Sequence, residues 1–528
     1  MRIEKLLVKD WVRTPINVLS IVLLVVAVFS HLWPKEAYLT MFFSSDALYL
    51  PSLYKDLISD GSSIKTWHLN PSPNFFPDMI FYFLLMALTN SFIWATFIFA
   101  LVQYLAMALL ISWIFRIIFP GRSASYQTFI FVFMSMVALE FLYRSHDLGY
   151  TFLVLINSYH NGAFVSALFC FALTLKYLTK QKNIILVYLF VIVFLSVFSD
   201  RLFVVLFPIP LVLSLMLILR RKTVKPVGLL ITVVVSAVFF GLFYFNKIDN
   251  NTYVVFKPNK FLDAASITES YHVFMKQMGL TLSSLGFKAL MFYLFFISLP
   301  FTCYIVYRSY RKEQQMIFFS SGFSLIFSFC VIFSPIINGK YSDYSCLRYS
   351  IFPVFLAGLN ISMFVAFTPE NRKFKFAGKV FVNLLVLLVV AAATVKIDMR
   401  GLQGYFSYYP NLVRQIDNLA EKENLQYGAG NYWVAKYVTL FSRKGVKIRS
   451  VFDDISIYDH VSNDAWFFNN IFTFVVLNRF NDTTLYRQKL KGIKIVNYDK
   501  SLKLVRVSPF TYRRETGYRA QNIGFIEE

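Results

Sequence analysis

One acid near the start of the chain, Asp46, lies between two apolar runs, Leu39–Phe43 and Ala47–Leu50. A carboxylate in this setting is partly desolvated or has a partner, and acids of this kind are candidates for function. The chemistry open to such a carboxylate is proton transfer to or from a reacting group. The alternative is a structural acid that caps a helix or forms an ion pair with Lys35 or Lys55.

Other acids, nearby or later in the chain, are likewise either functional or structural. Asp200 and Arg201 lie between two apolar segments with almost no loop, and a charged pair so close to hydrocarbon is costly. The pair either neutralises itself or lines a polar cavity. Asp56 and Asp60, which follow Asp46 in the same loop, are expected to be solvated, because exposure is the usual state of an acid.

The elements that must position these residues are membrane helices. Of the 528 residues, 57% are hydrophobic and only 15% are charged, whereas about 25% is usual in soluble proteins. The apolar runs are continuous, and many approach the ~17–25 residues that a helix needs to cross a bilayer. The net charge of +23 lies largely in short loops between these runs, which follows the positive-inside rule and argues against a nucleic-acid partner. The four cysteines indicate neither a disulfide framework nor a metal site.

We predict eleven spans, with a cytoplasmic N-terminus and a first span that is retained as an anchor. The spans are 16–33, 92–115, 126–143, 162–178, 184–199, 203–219, 227–246, 286–307, 316–335, 351–367 and 380–396. The outer face then carries the loops 34–77, 144–161, 247–285 and 336–350. The apolar segment 78–90 is too short to cross, and we expect a partial helix in the outer interface, which keeps every basic loop on one side.

The last part of the chain, residues 398–528, is mixed and polar, and we predict an α/β domain on the outer face. Three segments rich in β-branched residues are predicted strands: Thr473–Leu477, Ile493–Asn497 and Leu502–Val507. The spacing of apolar residues predicts an amphipathic helix over Asn411–Asn424. Residues 1–397 then form the membrane domain.

Four short segments resemble the GT-C superfamily, the polytopic glycosyltransferases that use polyprenyl-phosphate-linked sugars. They are Asp46 and Tyr49 followed by Trp67 and PSPNFFP, then YRSHD at 143–147, CLRYSIFP at 346–353 and GNYWVAK at 430–436. The resemblance rests on the order of the four segments along the chain and on their placement on the outer side of the membrane. It covers the whole arrangement of the chain. The sequence looks like the protein mannosyltransferase and aminoarabinose transferase types, but has one acid, Asp46, where such enzymes often have a pair.

The resemblance implies an inverting sugar transfer from a polyprenyl-phosphate donor to a lipid, glycan or protein acceptor on the extracytoplasmic face. Asp46 would be the catalytic base, and Asp147 would be a second acid that positions the acceptor or a metal ion. Arg348 would hold the phosphate, because its planar fork matches phosphate oxygens, and Lys340 would assist. The alternative for Arg348 is a surface ion pair with Asp343.

Further residues are candidates for contacts with the phosphate, the sugar or the acceptor. They are Tyr49, Trp67, His68, Arg144, His146, His160, Asp200 and Arg201. The structural alternatives are an ion pair between Arg144 and Asp147, a structural histidine at position 160 and an interfacial anchor at Trp67. A divalent cation, Mg²⁺ or Mn²⁺, held by Asp46 and Asp147 is left open, and no other cofactor is implied.

Other classes of function stay open at this stage. The sequence has no Gly-rich phosphate loop, no Cys/His spacing typical of zinc and no G-x-S-x-G element. A transporter or flippase of lipid-linked sugars would carry charges inside its spans, where Glu140 is the main acid. A polymerase or ligase of the O-antigen type would place its chemistry in a late outer loop, and a receptor or assembly protein would not need Asp46. We predict residence in a bacterial plasma (inner) membrane, with the C-terminal domain in the periplasm.

Overall fold

The computed structural model describes residues 10–33, 36–121, 125–143, 150–219, 224–249, 263–283, 287–341, 344–368, 372–468, 470–514 and 521–525. Within these ranges a bundle of apolar helices precedes a region of mixed helix and sheet. In chain order the helices of the first part are α1 Asp10–Ser30, α2 Glu36–Phe42, α3 Tyr49–Tyr54, α4 Ile80–Thr89, α5 Phe92–Ile118, α6 Ser125–Tyr143, α7 Asn161–Lys180, α8 Asn183–Ser199, α9 Phe203–Leu206, α10 Pro208–Leu219, α11 Val224–Asp249, α12 Ala264–Ser283, α13 Phe287–Arg311, α14 Gln315–Ile337, α15 Phe352–Phe367 and α16 Arg372–Lys396.

Helix covers each of the eleven predicted spans, with α9 and α10 sharing one of them. Six helices in the described part of the chain are long and apolar enough to cross a membrane, and further apolar helices are shorter. The six are Phe92–Ile118, Asn161–Lys180, Lys225–Ile248, Ala289–Arg311, Gln315–Ile337 and Arg348–Phe367. The chain is therefore a polytopic helical membrane protein.

The predicted interfacial segment 78–90 is a short helix, α4, which stays separate from α5 for a local reason. Asn90 adopts the left-handed conformation with φ at 50° and ends α4, which is a common way for a helix to stop. Ser91 then begins α5, because its hydroxyl accepts a hydrogen bond from the Trp94 N–H. This break keeps α4 and α5 as two separate helices.

Aromatic side chains fill much of the space between the helices. Phe171 of α7 stacks on Phe323 of α14 with ring centroids 4.0 Å apart, and Phe164 stacks on Phe352 of α15 at 4.8 Å. Offset and tilted ring pairs of this kind add to the stabilisation that burial provides.

The described end of the predicted third outer loop is not a loop, because residues 264–283 form α12, which packs on α14 and α13.

The C-terminal region contains a six-stranded mixed sheet. Its elements are α17 Met399–Phe406, α18 Asn411–Glu423, β2 Tyr427–Gly430, α19 Tyr432–Phe441, β3 Lys447–Ser450, β4 Ser462–Asn463, α20 Ala465–Phe468, β5 Phe472–Val476, β6 Lys494–Tyr498, β7 Lys503–Arg514 and β8 Gln521–Phe525, while β1 is Trp67–His68. The strand order is β3-β2-β5-β7-β6, with β8 paired to β7. Strand β2 runs parallel to β3 and β5, and β7 is antiparallel to its neighbours. The predicted strands and the predicted helix at 411–424 are confirmed.

The first outer loop is built into this C-terminal region. Strand β1 pairs with β4, and the Asp56 carboxylate accepts hydrogen bonds from Trp67 Nε1 at 2.6 Å, from Trp466 Nε1 at 2.8 Å and from the Asn463 amide. Asp56 is buried, so the expectation that it is solvated was wrong. A buried carboxylate needs donors of this kind, and two of the three come from more than 400 residues later in the chain. Asp60 is exposed, as expected.

Candidate active site

Asp46 lies in the turn between α2 and α3 and is half-buried beneath the start of α19. The Tyr432 hydroxyl donates a hydrogen bond to Asp46 Oδ1 at 2.7 Å. The same junction is fixed by Ser45, whose hydroxyl donates to the Tyr432 carbonyl. Lys55, one of the expected ion-pair partners, lies near Asp60 and Asp56 instead. Asp46 is therefore held where the membrane helices meet the C-terminal region.

Lys436 is the second charged group at this junction. It follows Tyr432 by one helical turn on α19 and is buried, with Nζ 3.3 Å from the Ser45 carbonyl oxygen and 3.4 Å from the Tyr432 hydroxyl. Burial lowers the pKa of Lys436 to about 7, and the nearby Asp46 opposes this only in part. Burial and then Asp46 raise the pKa of Tyr432 well above its usual value, so the Tyr432 hydroxyl stays protonated and can donate.

The lowered pKa of Lys436 predicts how stability changes with pH. A lysine in an unfolded chain titrates near about 10.4, whereas Lys436 in the folded protein titrates near about 7. Between these values the unfolded chain binds more protons, so the cost of burying Lys436 is largest at low pH and falls as pH rises. We expect Lys436→Met to raise the melting temperature in detergent near about pH 6, with a gain that shrinks towards about pH 10.

The matched control for this measurement is Lys422→Met, because Lys422 is exposed. That variant should melt close to the wild type at every pH. A Lys436→Met protein that melts below the wild type at low pH would show that Lys436 is a stabilising cation, contrary to the expectation.

Arg348 approaches the same place from the 3₁₀-helix Tyr344–Ser350, which precedes α15. Its Nη2 donates to the Tyr349 hydroxyl at 3.1 Å, and its guanidinium lies 5.6 Å from the centroid of the Tyr159 ring. Tyr159 is hydrogen-bonded to Ser44 and is within electrostatic range of both Asp46 and Arg348. A carboxylate and a planar cation thus converge around one tyrosine. Asp343, the alternative partner for Arg348, lies outside the described residues.

The backbone around Tyr159 is unusual. Ser158 and His160 on either side of it both have φ at 63°. Such left-handed conformations cost energy for residues other than glycine and tend to cluster at functional sites. The strained segment therefore supports a functional interpretation of this region.

A second polar cluster lies beside the first. His160 Nδ1 is 2.6 Å from Asp200 Oδ2, and Asp200 Oδ1 accepts hydrogen bonds from the Ser72 hydroxyl at 3.1 Å and from the Leu202 N–H at 3.0 Å. The His160 ring is also 5.8 Å from the ring of Tyr349, which contacts Arg348. Tyr349 thus lies between the pair formed by His160 and Asp200 and the guanidinium of Arg348.

Two cations lie close together at the edge of this cluster. The Arg201 guanidinium is 4.6 Å from the centroid of the Phe245 ring. Lys340 is close enough to Arg201 that its pKa falls, first through partial burial and then through repulsion by the arginine. Like charges held near one another favour the binding of an anion between them.

Asp78 is a buried acid that the sequence analysis missed. It lies in the turn Phe75–Met79 that leads into α4, and the Gly162 N–H donates to its carboxylate. Burial and then the neighbouring Asp200 raise the pKa of Asp78 to about 7, although His160 and Gly162 act in the other direction. The available signal was an acid directly after PSPNFFP, at the start of an apolar helix.

The contact between Asp78 and Gly162 predicts a steric requirement for glycine. A Cβ atom at position 162 would lie 1.8 Å from Asp78 Oδ1. We expect Gly162→Ala to destabilise the protein by roughly 1–3 kcal/mol, read as a lower melting temperature in detergent. Gly322→Ala is the matched control, because a Cβ there meets nothing within 4 Å. Equal melting of the two variants would contradict this close packing.

Three candidate residues lie in the joint between the first loop and the outer region. Tyr49 is buried and donates to the Pro73 carbonyl at 3.1 Å. Trp67 is only 1% exposed, which leaves its ring no surface for a sugar and places it away from lipid headgroups. His68 Nε2 is 2.8 Å from Asp464 Oδ1. Trp67 and His68 thus join this loop to the C-terminal region, while the Tyr49 contact holds the loop together internally.

The predicted candidates Arg144, His146 and Asp147 lie outside the described residues. Among the residues that the structure describes, no three His, Cys, Asp or Glu side chains come together as a metal site would require. The predicted metal position shared by Asp46 and Asp147 therefore stays a prediction.

Asp46 also lines a cleft of about 720 Å³. Its other walls come from the segments that follow β2, β3 and β5, where Asn431, Phe452 and Asn481 lie. Volumes of about 300–1,000 Å³ are usual for sites that bind small molecules. The cleft thus offers space for a substrate directly beside Asp46.

The helix bundle, the short helix α4 and the C-terminal α/β region together have the fold of a solved membrane protein, ArnT. The crystal structure of ArnT from Cupriavidus metallidurans in the apo state matches with a TM-score of 0.53 and 11% identity, over 90% of this chain and 97% of that chain. The crystal structure of the same protein bound to undecaprenyl phosphate matches with a TM-score of 0.48, at the same identity and coverage. No protein-family model and no curated protein matches the sequence.

Proposed function

We propose that this protein is a membrane glycosyltransferase that moves a sugar from a polyprenyl-phosphate donor to an acceptor hydroxyl. The observation that carries the proposal is the convergence of Asp46 and Arg348 around Tyr159, beside the cleft that Asp46 lines. A carboxylate, a phosphate-binding cation and a substrate-sized space are the parts that such a transfer needs. We propose that these three parts lie where the polyprenyl tail of the donor can stay among the membrane helices.

In the proposed reaction the acceptor hydroxyl attacks the anomeric carbon of the donor from the side opposite the phosphate. The new bond joins the acceptor oxygen to that carbon, and the proton of the hydroxyl passes to Asp46. The bond between the anomeric carbon and the phosphate oxygen breaks, and its electron pair leaves with the polyprenyl phosphate. Arg348 stabilises the charge that grows on the phosphate. Inversion at the anomeric carbon follows from this single displacement.

The groups around Asp46 suit this task. Tyr432 donates to Oδ1, which orients the carboxylate and leaves Oδ2 for the proton. Lys436 lies close to the same tyrosine, so the positive charge near Asp46 depends on pH near neutrality. Arg201 and Lys340 extend the cationic surface beyond Arg348, where we propose that they assist with the phosphate.

The orientation in the membrane belongs to the proposal. We place the site on the extracytoplasmic face of a bacterial plasma (inner) membrane, with residues 398–528 as a periplasmic domain. The basic loops between spans support this orientation. If a divalent cation takes part, Asp46 and Asp147 are the acids that we expect to hold it.

The proposed function is tested by sugar transfer from a panel of radiolabelled polyprenyl-phosphate sugars to membrane extracts. Purified full-length protein in detergent should move the label from at least one donor into a product that a heat-inactivated sample does not form. Absence of transfer from every donor would overturn the proposal. Movement of intact labelled donor across a liposome by the same preparation would then point to a flippase.

A further inference from the structure

We propose that the cleft beside Asp46 binds the acceptor, and that the acceptor is an uncharged saccharide. This inference rests on the proposed function, because it assigns the substrate that receives the sugar. It comes from the position of the cleft in the sheet, from its aromatic walls and from the chemistry of its polar groups.

The cleft lies at the carboxyl ends of the parallel strands of the outer sheet. Asn431 directly follows β2, Val451 directly follows β3, and Asn481 follows β5 by a short turn. Ligands of open sheets with parallel strands bind in the crevice at this end, where the loops that follow neighbouring strands diverge. The position is therefore that of a ligand site, to which the helical part of the chain adds Asp46.

Two walls of the cleft are aromatic rings that stay largely open to solvent. Trp433 is 43% exposed and Phe452 is 49% exposed. Phe452 packs edge-on against Tyr458 at 4.8 Å, and Tyr458 packs on Tyr432 at 5.2 Å. The Asn431 side chain accepts a hydrogen bond from the Trp433 N–H, which fixes the start of α19. Rings held rigidly and exposed in this way suit the C–H faces of a sugar, which pack flat against aromatic surfaces.

The polar groups of the cleft suit hydroxyl groups. Asp453 uses Oδ2 to accept the N–H groups of Asn481 and Asp482, at 2.8 and 3.1 Å, while no hydrogen bond to Oδ1 is found within the described residues. A carboxylate oxygen with open lone pairs accepts strongly from a sugar hydroxyl. Asp454 is neutralised at the rim by Lys489, 2.9 Å away. An apolar chain in the cleft would take water from these half-buried carboxylates without offering a hydrogen bond in return.

The proposed binding places of the donor and the acceptor differ in the charge of their side chains. No lysine or arginine belongs to the cleft lining among the described residues, which disfavours an acceptor with a phosphate or carboxylate. The cations Arg348 and Lys436 are not part of this lining, and lie instead beside Tyr159 and beside Ser45, respectively. Asp46 thus stands between a cationic place for the donor phosphate and an acidic, aromatic place for a neutral sugar.

The class of the acceptor is tested by treating the membrane extract before the transfer assay. One portion is oxidised with periodate, which cleaves vicinal diols, and others are digested with protease or phosphatase. We expect periodate alone to abolish transfer. Loss after protease or phosphatase, or transfer that survives periodate, would overturn the saccharide assignment. Absence of transfer to untreated extract would instead count against the proposed function itself.

The cleft is tested by truncating its exposed rings. Trp433→Ala and Phe452→Ala should raise the KM for the acceptor by roughly threefold to tenfold, and should leave the KM for the donor unchanged. Trp433→Phe should keep most of the acceptor affinity. Tyr498→Ala is the matched control, because Tyr498 is 48% exposed on the same outer sheet but outside the cleft. Variants that leave both KM values unchanged, or change both equally, would overturn the acceptor site and indicate rings that contact the bilayer.

Discussion

Sugar transfer by Asp46→Asn is expected to fall by about 10²–10⁴-fold, the range over which a general base contributes to catalysis. Asparagine keeps the shape of the side chain and an oxygen that accepts from Tyr432, so the junction with α19 should stay intact. What it loses is the ability to take the proton of the acceptor. The rate constant kcat should therefore fall while the KM values of donor and acceptor stay near those of the wild type.

Asp60→Asn is the matched control for this substitution. Asp60 belongs to the same outer loop but is exposed, and its loss should leave the rate unchanged. Melting temperatures of both variants, measured in the same detergent, check that folding is preserved. Full activity of Asp46→Asn at an unchanged melting temperature would remove Asp46 as the base and shift attention to Asp147.

The second large effect is expected at Arg348. Arg348→Ala should lower kcat by about 10²–10³-fold, because a fixed charge aimed at the leaving group stabilises the transition state more than the ground state. Arg348→Lys should restore only part of the rate, since an ammonium cannot make the two parallel hydrogen bonds of a guanidinium. Inhibition by the product polyprenyl phosphate should weaken in both variants.

Product inhibition separates a phosphate clamp from a purely structural arginine. Arg400→Ala is the control, because Arg400 is exposed at the start of α17. Its inhibition by polyprenyl phosphate should equal that of the wild type. If Arg348→Ala lowers the rate but leaves this inhibition unchanged, the arginine acts by packing on Tyr159 and Tyr349, and the phosphate lies elsewhere.

Much of the fold could be predicted because hydrophobic runs report directly on membrane helices. The same holds for the strands at Thr473–Leu477, Ile493–Asn497 and Leu502–Val507, whose composition is a local property. The short strands β2 and β3 were not predicted, because Tyr427–Gly430 contains two glycines and Lys447–Ser450 is four residues long with a single β-branched residue, Ile448. Their strand conformation is provided by pairing with neighbours rather than by local preference.

The candidate site likewise combines residues that local sequence reveals with residues that only the folded structure brings together. Asp46 could be found because apolar residues flank it. Tyr432 and Lys436 could not, since their contacts with the first loop span more than 380 residues of sequence. The segment GNYWVAK was noticed only through its resemblance to other proteins. Trp67 looked like a surface residue because nothing near it in the sequence shows that Asp56 and Trp466 enclose it.

The joint between the first outer loop and the C-terminal region has a consequence for the making of the protein. Asp46 meets Tyr432, and Asp56 meets Asn463, only after almost the whole chain has been synthesised. A ribosome that stops early leaves a set of membrane helices with a loose first loop and no complete site. Contacts so distant in sequence also form late and slowly. Newly made chains should therefore lack the complete candidate site until their last hundred or so residues have been synthesised and folded.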